Sequence, residues 1–191
     1  MKKMLPIAMS NRHIHLSEKD IEVLYGEGYQ LTKFKDLSQP GQYATNEKVD
    51  VVGPKGILKG VRVLGPARKQ TQIEISLTDS FVLGIKPPVR DSGDLAGSPG
   101  VKIVGPKGEV ELAEGVIIAS RHIHMHTDDA ADFQVKDNER VMIKTSGERG
   151  LIFNNVLVRV HPSYGLEMHV DIDEGNAAGL KNGDMVELIK E

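Results

Sequence analysis

The sequence predicts a mainly β protein made by internal duplication, two pseudo-symmetric units of short strands with a few short helices. Three observations carry that reading: a histidine motif written twice at long spacing, many short apolar runs cut by turn residues, and few helical signals. The motif is Ser10-Asn11-Arg12-His13-Ile14-His15-Leu16, answered by Ala119-Ser120-Arg121-His122-Ile123-His124-Met125 with the histidines offset by 109 positions. The echo continues along the chain. Glu47-Lys48-Val49-Asp50-Val51 is matched by Glu139-Arg140-Val141-Met142-Ile143, and Gly56-Ile57-Leu58 by Gly150-Leu151-Ile152. Val61-Arg62-Val63-Leu64-Gly65-Pro66 is matched by Leu157-Val158-Arg159-Val160-His161-Pro162. After the prolines, Gln72-Ile73-Glu74-Ile75-Ser76 falls in register with Glu167-Met168-His169-Val170-Asp171, so Glu74 corresponds to His169. Duplication by itself argues architecture and not chemistry.

Strands are expected over Val49 to Val52, Leu58 to Leu64, Gln72 to Leu77, Val101 to Val104, Arg140 to Lys144, Leu151 to Val160 and Glu167 to Ile172, because each is an apolar or alternating run between Gly, Pro, Asn and Asp. Many short strands with frequent turns make barrels or sandwiches. Helices are expected over Ser17 to Leu24 and Thr127 to Phe133, each opened by a hydroxyl residue with acids in its first turn. Each follows its His-Ile-His at once. The boundary between units falls in Pro87 to Gly100, rich in Pro, Gly, Ser and Asp, or at the second His-Ile-His.

The chain has 191 residues, enough for one generous domain or two compact ones. With 39% apolar and 27% charged residues it is ordinary for a globular protein. A net charge of -3 with interleaved signs provides no basic field for nucleic acid or an anionic membrane, so an anionic ligand must be met locally. The absence of cysteine excludes disulfides, thiolate metal sites and cysteine nucleophiles. The start, Met1 to Met9, has a short apolar run broken by Pro6, unlike a secretory signal, and no run of ~20 apolar residues occurs. A cytoplasmic protein without membrane contact is expected.

In a strand, residues i and i+2 share a face, so His13 with His15 and His122 with His124 each present two imidazoles while Ile14 and Ile123 turn into a core. Seven histidines placed at random in this chain would give roughly a quarter of one His-x-His. The sequence has three, counting His124-x-His126. Glu74 alternates with Ile73 and Ile75, and His169 with Met168 and Val170, so both polar side chains face away from apolar neighbours. Pseudo-symmetry then groups His13, His15 and Glu74 as one ligand set and His122, His124 and His169 as another. Three protein ligands with a fourth position open suit catalytic zinc. His126 has no counterpart in the first repeat, where Ser17 stands, and is not taken as a ligand; His161 is read as a hydrogen-bonded core histidine near a strand end.

Around these residues the sequence resembles the PduL-type phosphotransacylases, or phosphate propanoyltransferases, from Asn11 to about Gly179. The resemblance rests on the two histidine motifs, Gln39-Pro40-Gly41-Gln42-Tyr43-Ala44, Val52-Gly53-Pro54-Lys55-Gly56, Leu166-Glu167-Met168-His169 and Asp173-Glu174-Gly175-Asn176-Ala177-Ala178-Gly179. It implies two β-barrels capped by short helices, two zinc ions in a cleft between them on the six ligands above, and a phosphate-binding catalytic arginine, which lands on Arg68 in Gly65-Pro66-Ala67-Arg68-Lys69. Arg12 and Arg121 stand as supporting residues. We expect residues 12–119 to form one barrel and 120–191 the other, completed by the N-terminal strand in 1–11, because Leu5 to Ala8 precedes the first histidine pair as Val116 to Ala119 precedes the second.

The expected reaction interconverts acyl-CoA plus phosphate with acyl phosphate plus CoA, for a short acyl group such as acetyl or propanoyl, at a dinuclear zinc site with coenzyme A as substrate. A metal-dependent hydrolase of a small (thio)ester or amide is the alternative, since His-x-His at a strand end also suits a water-activating site. A (β/α)₈ version would need ~250 residues and alternating helices. A cupin-type barrel would place its glutamate closer to the histidines, and a zinc-stabilised binding module would close the metal with a fourth protein ligand. Only eleven residues precede Arg12, where microcompartment-packaged relatives carry an amphipathic extension, so a free enzyme acting on small molecules is expected over an encapsulated one. Homo-oligomerisation is compatible with the sequence.

Overall fold

A computed structural model of the chain describes residues 3–189. The outermost residues of the expected domain ranges, 1–2 and 190–191, lie outside the described residues. In chain order the elements are β1 (Lys3–Ser10), β2 (His13–Ser17), α1 (Glu18–Tyr25), β3 (Lys33–Asp36), β4 (Tyr43–Val52), β5 (Ile57–Arg68), β6 (Gln72–Glu74), α2 (Leu77–Leu83), β7 (Val89–Arg90), β8 (Lys102–Val104), β9 (Glu109–Glu111) and β10 (Val116–Ala119). There follow β11 (His122–Met125), α3 (Thr127–Phe133), β12 (Arg140–Lys144), β13 (Ile152–Val160), β14 (Glu167–Asp171), α4 (Ile172–Ala178) and β15 (Met185–Ile189). Strand outweighs helix by 44% to 16%, so the fold is mainly β. No described helix is long and apolar enough to cross a membrane.

Two compact units form. One comprises Asn11–Leu37 and Gly41–Ala119; the other comprises Met1–Ser10, Ser38–Pro40 and Ser120–Glu191. The stretch Pro87 to Gly100, read as a candidate boundary, runs inside the first of these and carries β7.

The second unit is a closed six-stranded barrel in the order β1-β14-β11-β13-β12-β15. The strand β1 runs parallel to β14, with Ile7 opposite Met168, and antiparallel to β15, with Leu5 opposite Val186. Closure is possible because alternate residues of every strand are apolar: Leu5, Ile7, Ile123, Met125, Val158 and Met168 are completely buried in one core. The other face of β11 and β14 is left to polar side chains.

The first unit is a curled half-barrel of nine strands, β7-β10-β6-β2-β5-β4-β8-β9 with β3 beside β4. Its core gathers Ile14, Leu16, Leu24, Val51, Val63, Ile73 and Ile103. Both middle isoleucines of the His-Ile-His motifs are thus core residues, as the period of two requires.

Among the described residues four helices cap the sheets, two more than expected. Helix α1 is N-capped by Ser17, whose hydroxyl accepts from Asp20 N. Helices α2 and α4 begin where the sequence reading continued β6 and β14, because Ser76 with Asp79 and Asp171 with Glu174 form capping boxes that stop each strand. Helix α3 is capped by His126, whose Nδ1 accepts from Asp128 N at 3.2 Å. His126 therefore caps its helix as Ser17 does in the other repeat. His161 is exposed, its ring beside the Ser163 hydroxyl at 2.7 Å, and is not a core residue, because β13 ends before it.

A second, shorter repeat seats α1 and α2. Val52-Gly53-Pro54-Lys55-Gly56 turns β4 into β5, and Val104-Gly105-Pro106-Lys107-Gly108 turns β8 into β9. Each turn is closed by a Gly N–H to Gly C=O bond of 2.9 Å. Each donates one lysine N–H to a helix end, Lys55 to Leu83 O at 3.1 Å and Lys107 to Leu24 O at 3.0 Å, satisfying a terminal carbonyl. A Cβ on Gly53 would lie 2.3 Å from Leu83 O, and one on Gly105 2.7 Å from Leu24 O. Gly105→Ala is expected to destabilise the fold by about 1–3 kcal/mol through overpacking against helix backbone. Denaturant unfolding checks this, and an unchanged midpoint contradicts it.

Candidate functional site

In the first unit, β2 lies between β5 and β6, with His13 opposite Glu74 and His15 opposite Gln72 on the antiparallel side. Cross-strand partners share a face, so the pairing that buries Ile14 against Ile73 sets His13, His15 and Glu74 together on the other side. One ligand atom from each lies within 4.8 Å of the others. Arg68 ends β5, which runs on past the strand end expected at Leu64. Its guanidinium reaches His15 Nε2 at 2.9 Å and donates to Ser92 Oγ at 3.2 Å.

The barrel repeats this geometry in the same register. His122 lies opposite His169, and His124 opposite Glu167. The three rings are mutual neighbours, with centroids 4.7 Å apart for His122 and His124, 5.2 Å for His122 and His169, and 4.9 Å for His124 and His169. Tyr164 adds an aromatic wall 4.4 Å from His124.

Several features suit these sets to a metal ion. His13 Nδ1 lies 2.9 Å from Asn11 O and His122 Nδ1 2.8 Å from Ser120 O; a carbonyl can only accept, so Nδ1 of each ring carries a proton and Nε2 is the nitrogen that could ligate. His13 Nε2 is 3.4 Å from Glu74 Oε2, so one cation could meet both. His124 has a buried Nδ1 with no hydrogen-bond partner, which costs about 1–3 kcal/mol unless something binds there. Nitrogen and carboxylate donors in threes fit zinc.

The electrostatics keep the donors in metal-binding form. Burial, with His13 and Arg68 nearby, lowers the His15 pKa to about 3, and burial with His122 and His169 lowers that of His124 to about 2. Both rings are neutral at pH 7, the state that ligates. Burial pushes the Glu74 carboxyl up, but the facing histidines, the Ser92 hydroxyl and Arg68 outweigh it and hold the group below the usual carboxylate range. Because His15 stays neutral, Ser92 and Arg68 supply part of that stabilisation at neutral pH.

Residues that the sequence reading passed over complete the surroundings. Glu74 Oε1 accepts from Gln72 Nε2 at 2.5 Å and from Ser92 Oγ at 3.0 Å. Gln72 is itself fixed, its Oε1 accepting from Gly93 N at 2.9 Å. Gln72 was legible, two residues before Glu74 on one strand face; Ser92 was not, since only folding brings its loop to β6. Arg12 pairs with Asp79 at 3.0 Å and Arg121 with Glu174 at 2.7 Å, so each of these two arginines clamps the capping acid of the helix that follows Glu74 or His169.

Comparison with known proteins bears on what such a site is for. A family model described as phosphate propanoyltransferase matches residues 6–181. The chain belongs to the phosphate propanoyltransferase family. A phosphate propanoyltransferase of Thermotoga maritima is 58% identical over 96% of this chain and 88% of its own length. Proteins of the same name from Clostridioides difficile and Listeria monocytogenes are 52% and 50% identical over 97% and 96% of this chain, covering 89% and 86% of theirs.

The lowered histidine pKa values predict how metal-free protein of this family member responds to acid. In the folded chain His15 and His124 titrate at about 3 and about 2, against 6.5 ordinarily, so between those limits the unfolded chain binds more protons. The stability they contribute is present above pH 6.5 and is lost as pH falls, at up to about 1.4 kcal/mol per pH unit for each ring. Chemical unfolding of zinc-free protein from pH 7 to 4 should show this decline. A flat profile over that range would contradict neutral burial of the two rings.

Proposed function

We propose that this chain is a zinc-dependent phosphate acyltransferase, interconverting acyl-CoA plus phosphate with acyl phosphate plus CoA for a short acyl group such as acetyl or propanoyl. One zinc ion is assigned to His13, His15 and Glu74, a second to His122, His124 and His169. The observation that carries the reading is Arg68: a permanent cation at a metal-ligand set, in a member of a family described by phosphate acyl transfer.

Bound zinc supplies Lewis acidity toward phosphate or carbonyl oxygen and affinity for the departing sulfur. The chain's own residues do the rest. Arg68 binds phosphate, since its planar fork donates two parallel hydrogen bonds and keeps its charge, and so orients one oxygen toward the thioester carbon. Attack forms the C–O bond, and collapse breaks the C–S bond and releases the thiolate of CoA. Phosphate brings its own ionised oxygen, so no side chain has to remove a proton to create the nucleophile. Glu74, His15 and His124 hold their ionised and neutral forms through the cycle, which keeps them donors and not acids.

The test is CoA release from acetyl-CoA and propanoyl-CoA with and without inorganic phosphate. Release that depends on phosphate and yields acyl phosphate is expected. Equal release without phosphate would mean a thioester hydrolase.

A further inference from the structure

The third ligand of each set is preceded, two positions earlier on the same strand face, by a side chain of complementary kind. Before the carboxylate Glu74 stands Gln72, whose amide donates to it at 2.5 Å. Before the imidazole His169 stands Glu167, whose Oε2 is 3.1 Å from His169 Nε2. Between the repeats, then, where the third residue changes from carboxylate to imidazole, the side chain beside it changes from amide to carboxylate. A serine from a loop holds each neighbour: Ser92 receives Gln72 Nε2 at 2.9 Å, and Ser38 donates its hydroxyl to Glu167 Oε2.

The Ser38 loop is itself anchored. Gln39 is 4% exposed, and its amide makes a two-way bridge to one residue, Nε2 donating to Gly165 O at 3.1 Å and Oε1 accepting from Gly165 N at 3.3 Å. Ser38–Pro40 belongs to the barrel unit although its chain neighbours on both sides belong to the other. The motif beginning at Gln39 thus reaches the chain at Gly165, two residues ahead of Glu167, where β14 begins.

We propose that Glu167 is the positioning residue of the three-histidine set and that Ser38 and Gln39 form the strut that holds it. A carboxylate beside a ligating imidazole fixes the ring's orientation and raises its basicity. It also balances charge: each set has one carboxylate, as a ligand in the first and as the ligand's neighbour in the second. The inference rests on the three-histidine set taking a metal.

The test isolates that set in the full chain by His13→Ala with Glu74→Ala, then measures zinc affinity by competition with a chromophoric chelator. Glu167→Ala is expected to weaken zinc binding about 10- to 100-fold. Ser38→Ala should show a smaller loss that Ser38→Thr, which keeps the hydroxyl, restores. Unfolding temperatures in excess chelator should stay equal across these variants while the increment gained on adding zinc shrinks, a pattern that a merely structural role would not give. Zinc affinity within twofold of the parent in both Glu167→Ala and Ser38→Ala overturns the inference and leaves the metal assignment standing. A parent that takes up no zinc removes both.

Discussion

Replacing Arg68 with alanine is expected to raise the KM for phosphate or lower kcat, leaving fold and zinc content intact, at a cost of roughly 2 to 4 kcal/mol, or about 30- to 900-fold in kcat/KM. The size follows from where the guanidinium sits, 2.9 Å from a buried ring and against Ser92, where water screens a charge poorly. Lysine should restore part of the loss, being a point charge without the bidentate fork. Lys69→Ala is the control, since Lys69 is exposed at the turn after β5. Steady-state kinetics with phosphate varied, beside metal analysis, reads the result. Wild-type phosphate kinetics in Arg68→Ala with activity lost in Lys69→Ala would move the role one residue; no effect in either would leave phosphate to other groups.

Purified protein is expected to hold about two zinc ions per chain, and Glu74→Ala about one. Activity should fall more than about 100-fold in that variant, because losing a Lewis acid costs several kcal/mol of transition-state stabilisation. Chelator should abolish wild-type activity and added zinc restore it, whereas added zinc should not rescue Glu74→Ala. The variant also leaves Gln72 and Ser92 without their shared acceptor, so His169→Ala, which touches neither, is the companion measurement. One zinc per chain in wild type, or two retained in either variant, contradicts the assignment of one ion to each set.

The mainly β class and the pairing of the residues proposed as ligands were legible in the sequence because a period of two and an internal repeat are local facts. His13 with His15, His122 with His124, and the matched Glu74 and His169 needed only strand alternation and register, and the ladders that pair His13 with Glu74 and His122 with His169 obey both. The expected strands ran one residue into each extra helix, to Leu77 and Ile172, and the rest of α2 and α4 was not predicted, although Ser76 with Asp79 and Asp171 with Glu174 lay in plain view: a capping box of four residues competes poorly, in linear reading, with the apolar run that it interrupts. What only the tertiary structure decided were the contacts between distant loops and strands. Ser92 at Glu74, Ser38 at Glu167 and the clamps of Arg12 and Arg121 on helix caps join residues that no period connects. Closure of one sheet into a barrel while the other stays an open curl was likewise decided in three dimensions, since closure depends on which edge strands meet, and alternation along each strand is the same in both.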